Sequence, residues 1–178
     1  MAWTSLISAL ACAFIIISGA YIVYDLNGGS LDLSDREVIL VVSDSMDGDV
    51  SGFDVDSFPV DTLVMVKHLP DNEKRFLRIG EVISFYNGDR LVHHRIVETN
   101  MDNGFVIVHG DNSHSTERVL LNDINGVVVG SNHWLGVMAQ IIMNNFLVFL
   151  GVLFVLCSLL VVYAIFIGPK KEVKANAQ

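Results

Sequence analysis

The sequence predicts a mainly β, antiparallel ectodomain flanked by two transmembrane α-helices. Two long uncharged apolar stretches lie near the chain ends, and between them short apolar runs alternate with turns rich in Asn, Asp, Gly and Ser. Charge is confined almost wholly to that middle segment. Nothing from Met1 to Tyr24 is charged, and after Asp123 the next charged residue is Lys170. With 52% apolar and 17% charged residues among 178, a disordered chain is excluded and one folded domain between the spans is expected.

The first span is expected over Ser5 to Tyr24, because twenty helical residues at a rise of 1.5 Å just cross a hydrocarbon core of ~30 Å. It lacks a basic N-terminal flank and exceeds the ~7–15 apolar residues of a cleaved signal peptide, so an uncleaved anchor is expected. Phe146 to Gly168 supplies the second span, 23 residues without a charge. Lys170, Lys171 and Lys174 follow it directly and mark the cytoplasmic side, which puts both termini inside and the ectodomain outside. The expected organisation is an anchor over 1–24, an extracytoplasmic β-rich domain over 25–140, a second transmembrane helix over 141–168 and a basic cytoplasmic tail over 169–178.

Between Asp25 and Asp123 there are 8 Lys and Arg against 19 Asp and Glu, a formal charge of −11 that repels nucleic acid backbones. Cys12 and Cys157 both fall in the spans, so no disulfide framework is expected.

Within the ectodomain, Asp25 to Arg36 reads as a polar connector and Glu37 to Val42 as a strand ending at Ser43. Asp47 to Asp56 is an irregular loop, Asp61 to Lys67 a second strand, and Pro70 to Arg78 a charged turn region. Glu81 to Tyr86 and Asp89 to Glu98 flank Asn87-Gly88, the composition of a hairpin with a type I′ turn. Asn103-Gly104 joins the second of these strands to Phe105 to His109, giving a three-stranded meander. Val127 to Gly130 adds a further strand, and Asn132 to Gln140 leads into the second span.

Three short segments carry chemistry: Ser43-Asp44-Ser45-Met46 at a strand end, His93-His94-Arg95 within a strand, and Gly110-Asp111-Asn112 at another strand end. A serine hydroxyl attacks an acyl group only when a base removes its proton, and an imidazole does so when a third group fixes its tautomer. If Asn103-Gly104 is a two-residue turn, residues whose numbers sum to 207 face one another. His94 then opposes Ser113 and shares a sheet face with Asp111, a diagonal neighbour at ~7–8 Å, while His93 points to the opposite face. His68, His109, His114 and His133 match no zinc-ligand spacing, and no metal is expected.

Five segments in order, SDSM, IGEVISF, VHHRIVE, HGDNS and DINGVVVG, resemble the type I signal peptidases of the archaeal and endoplasmic-reticulum branch, which use a histidine where the bacterial branch has a lysine. The resemblance implies a signal-peptidase-like antiparallel β fold, Ser45 as nucleophile and His94 as general base. It further implies that Ser43 and the Ser45 N–H donate to the oxyanion, with Met46 packed beneath the substrate pocket. The orienting acid in that family usually lies six residues after the Asp of Gly-Asp-Asn, a position held here by Glu117, whereas the register above favours Asp111. Asp111 is therefore the first candidate and Glu117 the second. The usual proline after Met46 is replaced by Asp47-Gly48, and the loop up to Asp61 is longer than in the family pattern.

The function expected from these readings is a membrane-bound serine endopeptidase that cleaves signal peptides from exported preproteins. It would need no cofactor, and its partners would be those signal peptides, the lipid bilayer and translocation machinery. Ser45 lies 21 residues beyond Tyr24, close enough in sequence to work near the bilayer. The alternatives are a sibling peptidase with narrower substrates, a non-catalytic membrane-anchored interaction module of the same fold, and a metal-dependent hydrolase, which chelators would inactivate.

Overall fold

Alternating apolar residues along the middle of the chain build one antiparallel sheet, which the computed structural model describes together with its flanking helices over residue 9, residues 12–19 and residues 30–166. Its strands are β1 (Ser30–Leu33), β2 (Arg36–Leu40), β3 (Leu63–His68), β4 (Val82–Asn87), β5 (Arg90–Asn100), β6 (Phe105–His109), β7 (Thr116–Leu120) and β8 (Ile124–Asn132). They lie in the order β1-β2-β3-β8-β4-β5-β6-β7, so the last strand is inserted between β3 and β4 and ties the two halves together. All pairings are antiparallel.

The sheet is buried on both faces. Consecutive residues Val82 and Ile83 of β4 point to opposite sides. Val82 joins a core with Val41, Met46, Val55, Phe58, Val64 and Val128, whereas Ile83 joins another with Phe85, Ile96, Val106, Val108 and Val119. Each wholly buried valine contributes about 1.5–3 kcal/mol relative to an exposed one. Irregularities at Met65/Val66, Ser84/Phe85 and Ile96/Glu98 interrupt the ladders. The last shifts the β5–β6 register beside His94.

The meander β4–β5–β6 forms, with two corrections to its turns. Asn87 pairs with Arg90, so the two-residue turn is Gly88-Asp89, and of these two only Gly88 has a positive φ. That is the requirement of type II′, with glycine first, in place of type I′. The Asn103-Gly104 connection contains a short 3₁₀ turn over Met101–Asn103, capped by the Asn100 side chain, with left-handed Gly104 closing it. Two strands escape the sequence patterns: β1 within the polar connector and β7, whose TERVL is mostly polar because it is a sheet edge. The charged turn region contains a single helical turn, α2 (Asp71–Lys74).

Chain contacts divide the molecule into a β unit, the described part of Tyr24–Ile141, and a helical unit, the described parts of Met1–Val23 and Ile142–Gln178. In the helical unit, residues 12–19 form α1, and α4 (Phe146–Phe166) is long and apolar enough to cross a membrane. Ser158 of α4 donates its hydroxyl to Phe154 O at 2.8 Å, which satisfies it inside the helix. The rest of the first expected span and the basic tail lie outside the described residues. Helix α3 (His133–Asn144) follows β8.

Candidate active site

Met46 anchors the Ser-Asp-Ser-Met turn. Its side chain is buried in the core, its carbonyl accepts from Phe58 N, and Asp47 N donates to Asp44 O to close a tight turn around Ser45. With Met46 drawn inward, Ser43 is exposed and Ser45 half-buried, their hydroxyl oxygens 3.4 Å apart. The acidic segment then clasps the turn from outside: Asn112 N donates to Ser45 O at 2.9 Å and Asn112 Nδ2 to Asp44 O at 3.2 Å.

Gly110 brings the serine turn and the histidine strand together. A Cβ on Gly110 would stand 2.7 Å from the main-chain Ser45 O and 3.0 Å from His94 Nε2, so a glycine here lets the backbone of the serine turn pack beside the His94 ring. His94 extends from β5 with its ring tilted against Phe85, centroids 5.8 Å apart. Its Nδ1 is buried, has no hydrogen-bond partner among the described residues, and lies 3.9 Å from Glu117 Oε2. Glu117 is itself held by Asn87 Nδ2, which donates to Oε1 at 2.8 Å. Burial lowers the His94 pKa below its ordinary 6.5. The His109 ring adds to that depression and the Asp111 carboxylate opposes it. The imidazole is therefore neutral at neutral pH, the form that accepts a proton.

The structure corrects the expected register. Arg95 pairs with His109 and Ile96 with Val108, numbers that sum to 204 and not 207. Alternation along β5, β6 and β7 then puts His94, Ile96, Val108 and Glu117 on one face. Asp111, the first candidate for the orienting acid, is engaged by Arg95. Arg95 Nε and Nη2 donate to its two oxygens at 2.9 and 2.6 Å, and Ser57 Oγ donates at 2.6 Å. Arg95 Nη1 also donates to Val55 O and Gly80 O, and the guanidinium lies over the Phe53 ring. Arg95 and Asp111 side chains are only 5% and 2% exposed, so the pair is a buried strut that fixes the 47–58 loop against β5.

Sequence reasoning assigned no role at the site to Arg95, Ser57 or Asn87. The signal for Arg95 was available: it follows His94 in a strand and so points to the opposite face, where a buried guanidinium needs a carboxylate. His93 shares the Arg95 face as alternation implies, and burial, with a smaller contribution from His94, lowers its pKa to about 4. Across β4–β5 it faces Ser84, and the His93 Nδ1 and Ser84 Oγ atoms are both buried without hydrogen-bond partners among the described residues.

The remaining histidines are dispersed. His133 Nδ1 lies 3.2 Å from Thr62 Oγ1, and His68 Nε2 lies 4.0 Å from Glu37 Oε2. Among the described residues no three His, Cys, Asp or Glu side chains converge as metal ligands. A groove of about 480 Å³ bordered by Phe53, Val55, Arg78, Gly80, Val82 and Val128 includes neither Ser45 nor His94. Comparison with protein-family models, with curated proteins and with solved structures finds no match for this chain.

Proposed function

We propose that this protein is a membrane-bound serine endopeptidase that removes signal peptides from exported preproteins, as its resemblance to the archaeal and endoplasmic-reticulum type I signal peptidases implies. The observation that carries the reading is that the main-chain carbonyl of Ser45 and Nε2 of His94 both border Gly110, which puts the serine turn beside the histidine strand, with Glu117 behind the imidazole on the same sheet face.

In the proposed reaction, Nε2 of neutral His94 takes the Ser45 hydroxyl proton as Oγ attacks the scissile carbonyl. The tetrahedral oxyanion is received by the Ser43 hydroxyl and the Ser45 N–H; removing one such donor costs up to ~3–4 kcal/mol. His94 then returns the proton to the leaving amine, and a water deprotonated by His94 releases the acyl group. Glu117 is assigned as the orienting acid, since Nδ1 must carry the proton for Nε2 to act as base. Its 3.9 Å separation is an ion-pair distance that tightens when imidazolium forms. Asp111 holds the loop and has no assigned proton-transfer role.

In this reading an extended substrate is laid beside Val42, which is 85% exposed, follows the last β1–β2 pair among the described residues, Ser30 with Ile39, and leads directly into Ser43. A strand laid there would present a backbone carbonyl to Ser45. The proposed placement has both termini cytoplasmic, the catalytic domain on the extracytoplasmic side, and α4 as one of two spans.

The test is cleavage of a preprotein by the full chain in lipid vesicles, with sequencing of the product's new N-terminus. Cleavage at one site after small residues, lost in Ser45→Ala and indifferent to chelators, supports the proposal. Cleavage that chelators abolish, or none by the unaltered chain, overturns it.

A further inference from the structure

Helix α3 leaves large apolar side chains on its surface. Its inner side is fastened to the β unit: a Cβ on Gly136 would overlap Asp61 O and stand 2.6 Å from Leu63 N, and His133 Nδ1 lies 3.2 Å from Thr62 Oγ1. Its outer side carries Trp134, Leu135 and Met138, which are 70%, 49% and 37% exposed. Trp134 and Met138 are four residues apart and so lie one above the other on the helix, with Leu135 beside them. Three large apolar side chains held outward by a glycine contact on the opposite side are a surface awaiting a cover.

We infer that the Trp134–Leu135–Met138 stripe of α3 docks into the interfacial layer of a lipid bilayer. Two features favour lipid over a protein partner. The chain carries no charged residue from Ile124 to Pro169, so α3 itself brings no ionic group of the kind that orients a protein partner. The same chain also runs within a few residues into α4, which is long and apolar enough to cross a membrane. A tryptophan at the polar start of such a segment, after Ser131, Asn132 and His133, has the apolar body and polar N–H that suit the headgroup level.

The contact has a consequence for the proposed peptidase site, and this part rests on that reading. Asp61 and Thr62, which α3 touches, are bonded to Val41: Asp61 N donates to Val41 O and Val41 N to Thr62 O. A lipid-held α3 therefore sets the height of the strand that ends in Ser43 and Ser45.

The chain has two tryptophans, so the full-length Trp3→Phe variant leaves Trp134 as the sole indole reporter. It is placed in phosphatidylcholine vesicles whose acyl chains carry bromines either near the headgroups or near the chain ends. The expected result is a blue-shifted Trp134 emission, quenched strongly by the shallow bromines and weakly by the deep ones. Adding Met138→Glu should reduce the shallow quenching several-fold. Emission that water-borne acrylamide quenches and neither lipid does, emission shielded from all three quenchers as under a protein cover, or quenching unchanged by Met138→Glu would each overturn the inference. Adding Ser45→Ala leaves the expected quenching intact, so failure of the lipid contact is distinguishable from failure of the peptidase reading.

Discussion

Arg95 and Asp111 form a buried bidentate ion pair on the face of β5 opposite His94. The guanidinium also reaches Val55 O and Gly80 O, so one pair locks the acidic segment, the 47–58 loop and the approach to β4. This gives the two candidate carboxylates different work: Asp111 braces the scaffold, and Glu117 lies behind the imidazole.

Glu117→Gln is expected to lower kcat for preprotein cleavage by about 10²- to 10⁴-fold with little change in thermal stability, because the amide no longer stabilises an imidazolium. Asp111→Asn should instead destabilise the fold by about 3–5 kcal/mol by leaving Arg95 buried without its charge partner. Cleavage rates beside thermal midpoints in detergent separate the two. A stable but inactive Asp111→Asn with an active Glu117→Gln would reverse the assignment.

Gly110→Ala should abolish cleavage, since its methyl group would occupy the space at 2.7 Å from Ser45 O and 3.0 Å from His94 Nε2. Overpacking of this kind costs about 1–3 kcal/mol, which a folded chain survives. The check is activity together with circular dichroism; an active, folded Gly110→Ala would show that the serine and histidine do not close there.

The pH dependence of kcat/KM should show an acid limb with its midpoint below 6.5, because the proposed base, His94, has to be neutral and burial holds its pKa down. The His109 ring contributes to that depression, so His109→Asn is expected to move the limb to higher pH. A limb that stays in place would remove His109 from the electrostatics of the site.

Stability should have its own acid dependence through His93. Its folded pKa of about 4 lies below the ordinary 6.5, so the unfolded chain binds the proton first. The associated stability is complete above pH 6.5 and is lost as pH falls from there toward 4. At ~1.4 kcal/mol per unit the loss is on the order of 3 kcal/mol. His93→Val should flatten this decline, measured as urea midpoints of the full chain in detergent at pH 7 and pH 4.5. An equal decline in both proteins would assign the acid sensitivity elsewhere.

Much of the sheet was legible because its inner strands alternate cleanly, as Val64/Val66 and Val106/Val108 do. β1 and β7 were not, since edge strands bury little and their sequences read as connectors. The serine and histidine could be singled out by residue type and order, and both carboxylates could be named, but the choice between Asp111 and Glu117 turned on register. Register depended on a 3₁₀ turn at Met101–Asn103 and an unpaired Val97, which no local pattern reveals. That small change shifts the expected sum from 207 to 204, moving Asp111 off the His94 face and leaving Glu117 there.

The most direct measurement is a double-mutant cycle on preprotein cleavage with Ser45→Ala, His94→Ala and the combined variant in lipid vesicles. Groups that act as one unit lose their whole contribution when either is removed, so both single variants and the double should fall to the same residual rate. Substantial cleavage in either single variant, or losses that multiply in the double, would contradict a nucleophile at Ser45 activated by His94.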